Sequence, residues 1–168
     1  MPTVHVDGLG FDFPISWATS RYDDWGFYRT QFSIMWDGIK AVDLLALDSD
    51  RTAWFIEVKD YRSHVRTKPS ELGDEVAREV FDTLAAMLPA KVNANDAEEV
   101  KMATAVLGAK KLRVVLHLEQ PKKHSALRPR AIDPANVLQR LRRLLKPIDA
   151  HPIVAETTRM GALAWSVK

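Results

Sequence analysis

The sequence predicts one α/β domain, a mixed β-sheet flanked by helices on both faces. Three observations carry this. Two strand-like runs, Ile39–Leu47 and Thr52–Lys59, flank the polar turn Asp48-Ser49-Asp50-Arg51. A helical stripe follows, with Leu72, Val76, Val80, Leu84 and Leu88 recurring every four residues and Ala77, Phe81 and Met87 widening it. A buried-type strand, Leu112–Leu118, comes after the helices. A strand, a helical crossover and a second strand imply a parallel pair, and such crossovers are nearly always right-handed.

The chain reads from its start as a short hairpin or arm over 3–13, turning at Asp7-Gly8. Residues 16–29 predict a short helix with Trp17, Tyr22, Trp25 and Tyr28 inward. Thr30–Trp36 predicts a strand joined to Ile39–Leu47 through Asp37-Gly38, because both central residues of a type I′ turn need positive φ. With Thr52–Lys59 this makes a three-strand antiparallel meander. Ser70 is the expected cap of the helix over 71–88, and Pro89 its stop. Asn95 or Asp96 caps a second helix, Ala97–Leu107, ended by Gly108. Asp133-Pro134 opens a third, running to about Lys146. Ile153–Thr158 and Leu163–Val167 read as a closing hairpin around Gly161.

Length and composition bound the function. At 168 residues, one domain with a real core is expected, with a central part over about 17–118 and a C-terminal extension over about 119–168. No apolar run approaches the ~20 residues of a membrane span, and the first residues lack the pattern of a signal peptide, so a cytoplasmic protein with no membrane partner is expected. With no cysteine, disulfides and thiolate metal sites are excluded. The net charge of +2 hides an asymmetry. Residues 1–84 hold nine Lys and Arg against fifteen Asp and Glu, and residues 85–168 hold fifteen against seven. An acidic half suited to a cation and a basic half suited to phosphates fit a nucleic-acid enzyme; solvated surface charge accounts for the same counts.

Three ionisable residues stand where plain core strands should have none: Asp43 in one run, Glu57 and Lys59 in the next. Both faces of these strands are largely apolar, and an isolated buried carboxylate is very costly, so Asp43 needs a partner. A symmetric turn over Asp48–Arg51 puts Asp43 opposite Ile56, and Glu57 then points to the other face. A shift of one residue, by turn length or a bulge, brings Asp43 and Glu57 to one face. Two close carboxylates repel unless a cation or proton intervenes, and hard oxygen ligands suit Mg²⁺ or Mn²⁺. The alternative is a structural Asp43–Lys59 salt bridge beside a strand-end Glu57.

The stretch Val42-Asp43-Leu44…Ile56-Glu57-Val58-Lys59, with its surrounding element order, resembles the PD-(D/E)xK nuclease superfamily, the restriction-endonuclease-like fold with its αβββαβ core. The resemblance spans roughly residues 17–118. It implies Asp43 and Glu57 as metal ligands, the Val58 carbonyl as a further ligand and Lys59 as the catalytic lysine. Many members add a Glu from the first helix; the candidates here, Asp23 and Asp24, are shorter by a methylene. The implied activity is Mg²⁺- or Mn²⁺-dependent endonuclease hydrolysis of phosphodiester bonds in DNA, leaving a 5′-phosphate. The fold also hosts silent members, so a non-catalytic interaction or nucleic-acid-binding subunit is the competing reading. The resemblance also leaves room for a homodimer or for a protein partner that supplies specificity.

Basic residues suggest where nucleic acid, DNA or RNA, would lie. Arg62, His64 and Arg66 follow Lys59, and Lys122, Lys123, Arg128 and Arg130 crowd the loop after the fourth strand. His5, His117, His124 and His151 lack metal-ligand spacing, and the five tryptophans read as core.

Overall fold

The computed structural model describes residues 3–127 and 129–168. Its elements are β1 (Thr3–Val6), β2 (Leu9–Asp12), β3 (Ala18–Arg21), β4 (Leu44–Leu47), β5 (Thr52–Asp60), α1 (Leu72–Asn93), α2 (Ala97–Leu107), β6 (Lys111–Glu119), α3 (Pro134–Leu144), β7 (Ile153–Ala155) and β8 (Ser166–Val167). Five strands form a mixed sheet in the order β3-β4-β5-β6-β7, antiparallel from β3 to β5 and parallel from β5 to β7. The remaining three form a second sheet, β1-β2-β8.

Helices were expected on both faces of the sheet, but all three lie on one. There Val76, Val80 and Met87 of α1, Met102 and Val106 of α2, and Leu141 of α3 bury against Leu45, Phe55, Val114 and Leu116. The opposite face, with Leu44, Ile56, Val58 and Val115, is covered by the small sheet through Leu9, Phe11 and Val167, and by Trp165. The N-terminal hairpin turns at Asp7-Gly8 as read, with φ of 47° and 80°. It pairs with β8, so two chain segments distant in sequence close one apolar face.

The first part of the meander differs from the sequence reading. Ala18–Arg21, expected in a helix, is an edge strand paired with β4. The chain then makes a 3₁₀ turn at Tyr22–Asp24 and a π turn at Tyr28–Phe32. Tyr22, Trp25, Phe27 and Phe32 are core anchors carried by irregular backbone. The Gly26 and Phe27 amides donate to Glu99 of α2 at 2.7 and 3.1 Å. The strand expected over Thr30–Trp36 is absent, and Asp37-Gly38 joins no hairpin; Gly38 has φ +83° but Asp37 is not left-handed. Side chains of α1 take the amides that a hairpin would use: Lys40 N donates to Asp82 Oδ2 at 2.9 Å and Val42 N to Thr83 Oγ1 at 3.0 Å.

Helix ends follow local chemistry where it is strong. Asp96 caps α2 and Asp133 caps α3, and Gly108 follows α2. Ser70 does not cap α1, whose first residue follows Glu71, and Pro89 does not end it. Proline removes only the bond to the carbonyl of Ala85, and Ala85 lies on the exposed side of the helix, so the missing donor falls outside the core. The helix continues because Ala90 buries in the core. The closing hairpin is also absent. β7 runs parallel to β6 while β8 joins the other sheet, because the two runs are needed on opposite layers.

The register of β4 on β5 is the fold's most consequential detail. Leu44 faces Ile56 and Leu47 faces Ala53. The connection is one residue longer than the symmetric turn, with Arg51 in the left-handed region at φ 62°. Asp48 holds it: its Oδ1 accepts from Asp50 N at 2.9 Å and Thr52 N at 2.8 Å, and its Oδ2 from Trp54 Nε1 at 3.1 Å. This is the three-residue hairpin loop in which a left-handed residue takes up the extra position.

The strap over 39–43 hangs on the Thr83 hydroxyl. Thr83→Val keeps the shape but leaves the buried Val42 N–H unpaired, so a loss of about 1–3 kcal/mol is expected. Urea unfolding of the two proteins measures it; an unchanged midpoint would show that the strap does not depend on this bond.

Candidate functional site

Continuing the observed register by one step beyond Leu44 sets Asp43 across from Glu57, on the face that carries Leu45 and Phe55. The strand peels away at Asp43, whose main-chain oxygen accepts from Tyr22 N at 2.9 Å. The side chain takes the next rung of the ladder, Oδ2 accepting from Val58 N at 2.7 Å. The N–H and C=O of a strand residue point to the same side, so the Val58 carbonyl opens toward the same edge as Asp43. Asp43, Glu57 and Val58 therefore meet at the end of β5.

Lys59 points to the same face as Glu57 and closes a cluster of charges. Its ammonium lies 2.6 Å from Glu57 Oε1, 3.0 Å from Glu79 Oε1 and 3.3 Å from Glu75 Oε1. Glu75 also receives Arg66 and Lys68, each at 2.7 Å. The structural alternative of an Asp43–Lys59 salt bridge is not formed; Lys59 pairs with glutamates instead. Glu75 and Glu79 were not singled out from sequence. The signal that could have found them is their i, i+4 spacing on the buried side of α1, in line with Thr83, where apolar residues belong.

The acids are unevenly matched. Glu57 is only 3% exposed, yet its Oε2 has no hydrogen-bond partner, and neither has Glu79 Oε2. Burial, then the charges of Glu79 and Asp43, push the Glu57 pKa well above the usual range despite Lys59. Burial likewise raises Glu79. Asp43 rises to about 6, mainly by burial, against the Val58 N–H and with Asp23 adding repulsion. Burial would also raise Glu75, but Lys68 and Arg66 bring it down to about 2. Burial opposes the charge on Lys59, and Glu57 and Glu79 override it, so the ammonium stays protonated. Glu57 and Glu79 thus share a single ammonium, among the described residues no cation pairs with the Asp43 carboxyl, and the surplus of negative charge must be met by protons or by another cation.

The donor set suits a hard cation: carboxylate oxygens, two of them buried and unpaired, beside a main-chain carbonyl. Among the described residues, no three acidic or histidine side chains stand around a common point at metal-binding distance, and the Lys59 ammonium holds Glu57 and Glu79 together. Asp23 and Asp24, the candidates for a further ligand, are paired with arginines, and Asp23 lies near enough to Asp43 to raise its pKa. Asp23 pairs with Arg21 at 2.7 Å, and Asp24 with Arg21 and Arg29.

The basic residues divide between two places. Arg62, Lys122 and Arg130 line one cavity of about 460 Å³ with Lys168, at the same end of β5 and β6 but beside Glu119, on the sheet's other face. Arg62 is held by Asp60 at 2.6 Å and Arg130 by Glu156 at 3.1 Å. Arg66 is drawn inward to Glu75, Tyr61 and Ser70, so its guanidinium serves the carboxylate cluster rather than open solvent. His64 is exposed with its ring edge-on to Tyr61, Lys123 is exposed, and Arg128 lies outside the described residues.

The raised carboxylates fix the sign of a pH effect. Asp43 gains its proton more readily in the folded chain than at its ordinary value of 3.8. Its contribution to stability is therefore complete below about pH 4 and is lost as pH rises through about 6. Glu57 acts in the same direction. Urea midpoints are expected to fall between pH 5 and pH 8, and Glu57→Gln to flatten that fall; a variant with the wild-type slope would refute this assignment.

No family model matches the chain, and no solved structure matches it. Among curated proteins it is similar to the cysteine–tRNA ligase of Neisseria meningitidis serogroup A / serotype 4A (strain DSM 15465 / Z2491), at 29% identity over 169 positions. That alignment takes in 83% of this chain and 24% of the ligase, so the chain spans about a quarter of the length of that relative.

Proposed function

We propose that this chain is a restriction-endonuclease-like, metal-dependent nuclease domain that hydrolyses phosphodiester bonds in DNA and leaves a 5′-phosphate. The observation that carries the reading is the meeting of Asp43, Glu57 and Lys59 at the end of β5, with two buried glutamate oxygens unpaired beside them. The meander β3-β4-β5 followed by a helical crossover to parallel β6 supports it further. An edge strand with 3₁₀ and π turns stands in place of the expected first helix.

In this reading Asp43, Glu57 and the Val58 carbonyl would hold Mg²⁺ or Mn²⁺, which supplies a bound water of lowered pKa and neutralises charge on the scissile phosphate. Lys59 supplies a permanent positive charge at the reacting centre. Glu57 and Glu79 keep it protonated and aimed, and its hydrogen bonds can pass from carboxylate to a phosphate oxygen as charge develops there. Water attacks phosphorus and gives up a proton, the bond to the 3′-oxygen breaks, and that oxygen takes a proton to leave as the 3′-hydroxyl. Glu75, tied to Arg66 and Lys68, anchors the loop after β5 beside this centre. The basic cavity at the same strand ends offers phosphate contacts on the other side.

A second reading is favoured by the similarity to a protein named for a tRNA: a nucleic-acid-binding module, without hydrolysis, that takes RNA. One experiment separates the two. The purified chain is incubated with single- and double-stranded DNA and with tRNA, with Mg²⁺ or Mn²⁺. Cleavage of DNA to 5′-phosphate ends is expected, with Lys59→Ala and Asp43→Asn slower by roughly 10²–10³-fold. No cleavage, or variants that cut like wild type, overturns the nuclease reading; RNA retention without cleavage supports the second.

A further inference from the structure

α1 carries two apolar stripes, and among the described residues only one has a partner. A four-residue repeat advances 400° around a helix of 3.6 residues per turn, so the run Leu72, Val76, Val80, Leu84, Leu88 drifts about 40° per step. It leaves the core partway along. Leu72, Val76, Val80 and Met87 are buried, whereas Phe81, Leu88 and Val92 are 61%, 59% and 69% exposed. Ala77 and Leu84 are half-buried and Ala85 exposed. At 100° per residue, Ala77, Phe81, Leu84, Ala85, Leu88 and Val92 fall within one arc of about 100°. Leu107 at the end of α2 and Leu144 at the end of α3 add further exposed apolar surface.

The order of this outer stripe is palindromic. Counted from a point midway between Leu84 and Ala85, Phe81 lies as far one way as Leu88 the other, and Ala77 as far as Val92. A two-fold axis through that point would lay Phe81 on Leu88 of a second copy and Ala77 on its Val92, small against branched at the ends and large against large within. This is the self-complementarity that an isologous interface requires. Antiparallel helices also oppose their macrodipoles favourably. The cations beside the stripe do not collide: Arg78 and Lys91 border it on opposite flanks, and Arg78 is held by Asp82 at 2.8 Å. Contiguous exposed apolar patches larger than a few hundred Å², rimmed by polar residues, mark interaction sites on soluble proteins.

We propose that the outer face of α1 is a homodimer interface, with two copies packed antiparallel about a two-fold axis at Leu84 and Ala85. It does not depend on the nuclease reading, since none of these residues belongs to the carboxylate cluster.

The chain has no cysteine, so introduced thiols report the geometry directly. A disulfide needs Cα atoms within about 7 Å. Ala85→Cys is expected to link to itself under mild oxidation. Ala77→Cys alone should not, because its two copies would lie ~22 Å apart at 1.5 Å per residue. Mixed with Val92→Cys, it should form the crossed product. Sedimentation of the wild-type chain should show a concentration-dependent dimer, weakened on the order of 30-fold by Phe81→Glu with Leu88→Glu, with unchanged far-UV circular dichroism. A wild-type chain that stays monomeric, or Ala77→Cys linking to itself as readily as Ala85→Cys, overturns the proposal.

Discussion

The register of β4 against β5 is the constraint on which the candidate site rests. It is set by one side chain. Asp48 gathers the amides of Asp50 and Thr52 and so stabilises a loop that places Arg51 in the left-handed region. Arg51 is fastened in turn at the end of α2: its guanidinium donates to the Gly108 carbonyl, and its own carbonyl accepts from Lys110 N at 2.8 Å. One residue fewer in that loop would send Glu57 to the face covered by the small sheet, away from Asp43 and α1. The turn chemistry at one end of the strands thus decides the charge chemistry at the other.

At that other end, α1 supplies what the strands lack. Its Asp82 and Thr83 hold the strap that delivers Asp43, and its Glu75 and Glu79 surround Lys59. The same helix therefore positions an acid and keeps a lysine protonated. Buried carboxylates in this number are costly unless something compensates them, and one ammonium compensates only part. Strain of this kind, held in place by a well-packed sheet and helix, is characteristic of sites where chemistry or ligand binding repays it. The inward pull on Arg66 belongs to the same balance: Glu75 can face Lys59 because two further cations neutralise it.

Legibility in the sequence followed the range of the interactions involved. The Asp7-Gly8 hairpin, the Asp96 and Asp133 caps, and strands β5 and β6 are local in origin, and their residues announce them. Asp43, Glu57 and Lys59 stood out because charge within apolar strand runs is conspicuous. Residues 16–38 misled because their aromatic spacing mimics a helix and Asp37-Gly38 mimics a hairpin. Tertiary bonds from Glu99, Asp82 and Thr83 claim the backbone amides there, and no local pattern records them. The Pro89 stop failed for a similar reason, since the exposed setting of Ala85 and burial at Ala90 outweigh one missing donor.

The sequence by itself determined that a mixed sheet with a helical crossover forms, and that two acids and a lysine interrupt its apolar strand runs, because side-chain periodicity and turn chemistry act over a few residues. Only the tertiary structure decided that Asp43 and Glu57 share a face, that Glu75 and Glu79 join them, and that Asp23 and Asp24 are spent on arginines. It also decided which half of the α1 repeat is core and which is surface. Helix rotation and ion pairing depend on what approaches from elsewhere in the chain, and register on the length of one loop, which side-chain periodicity does not report.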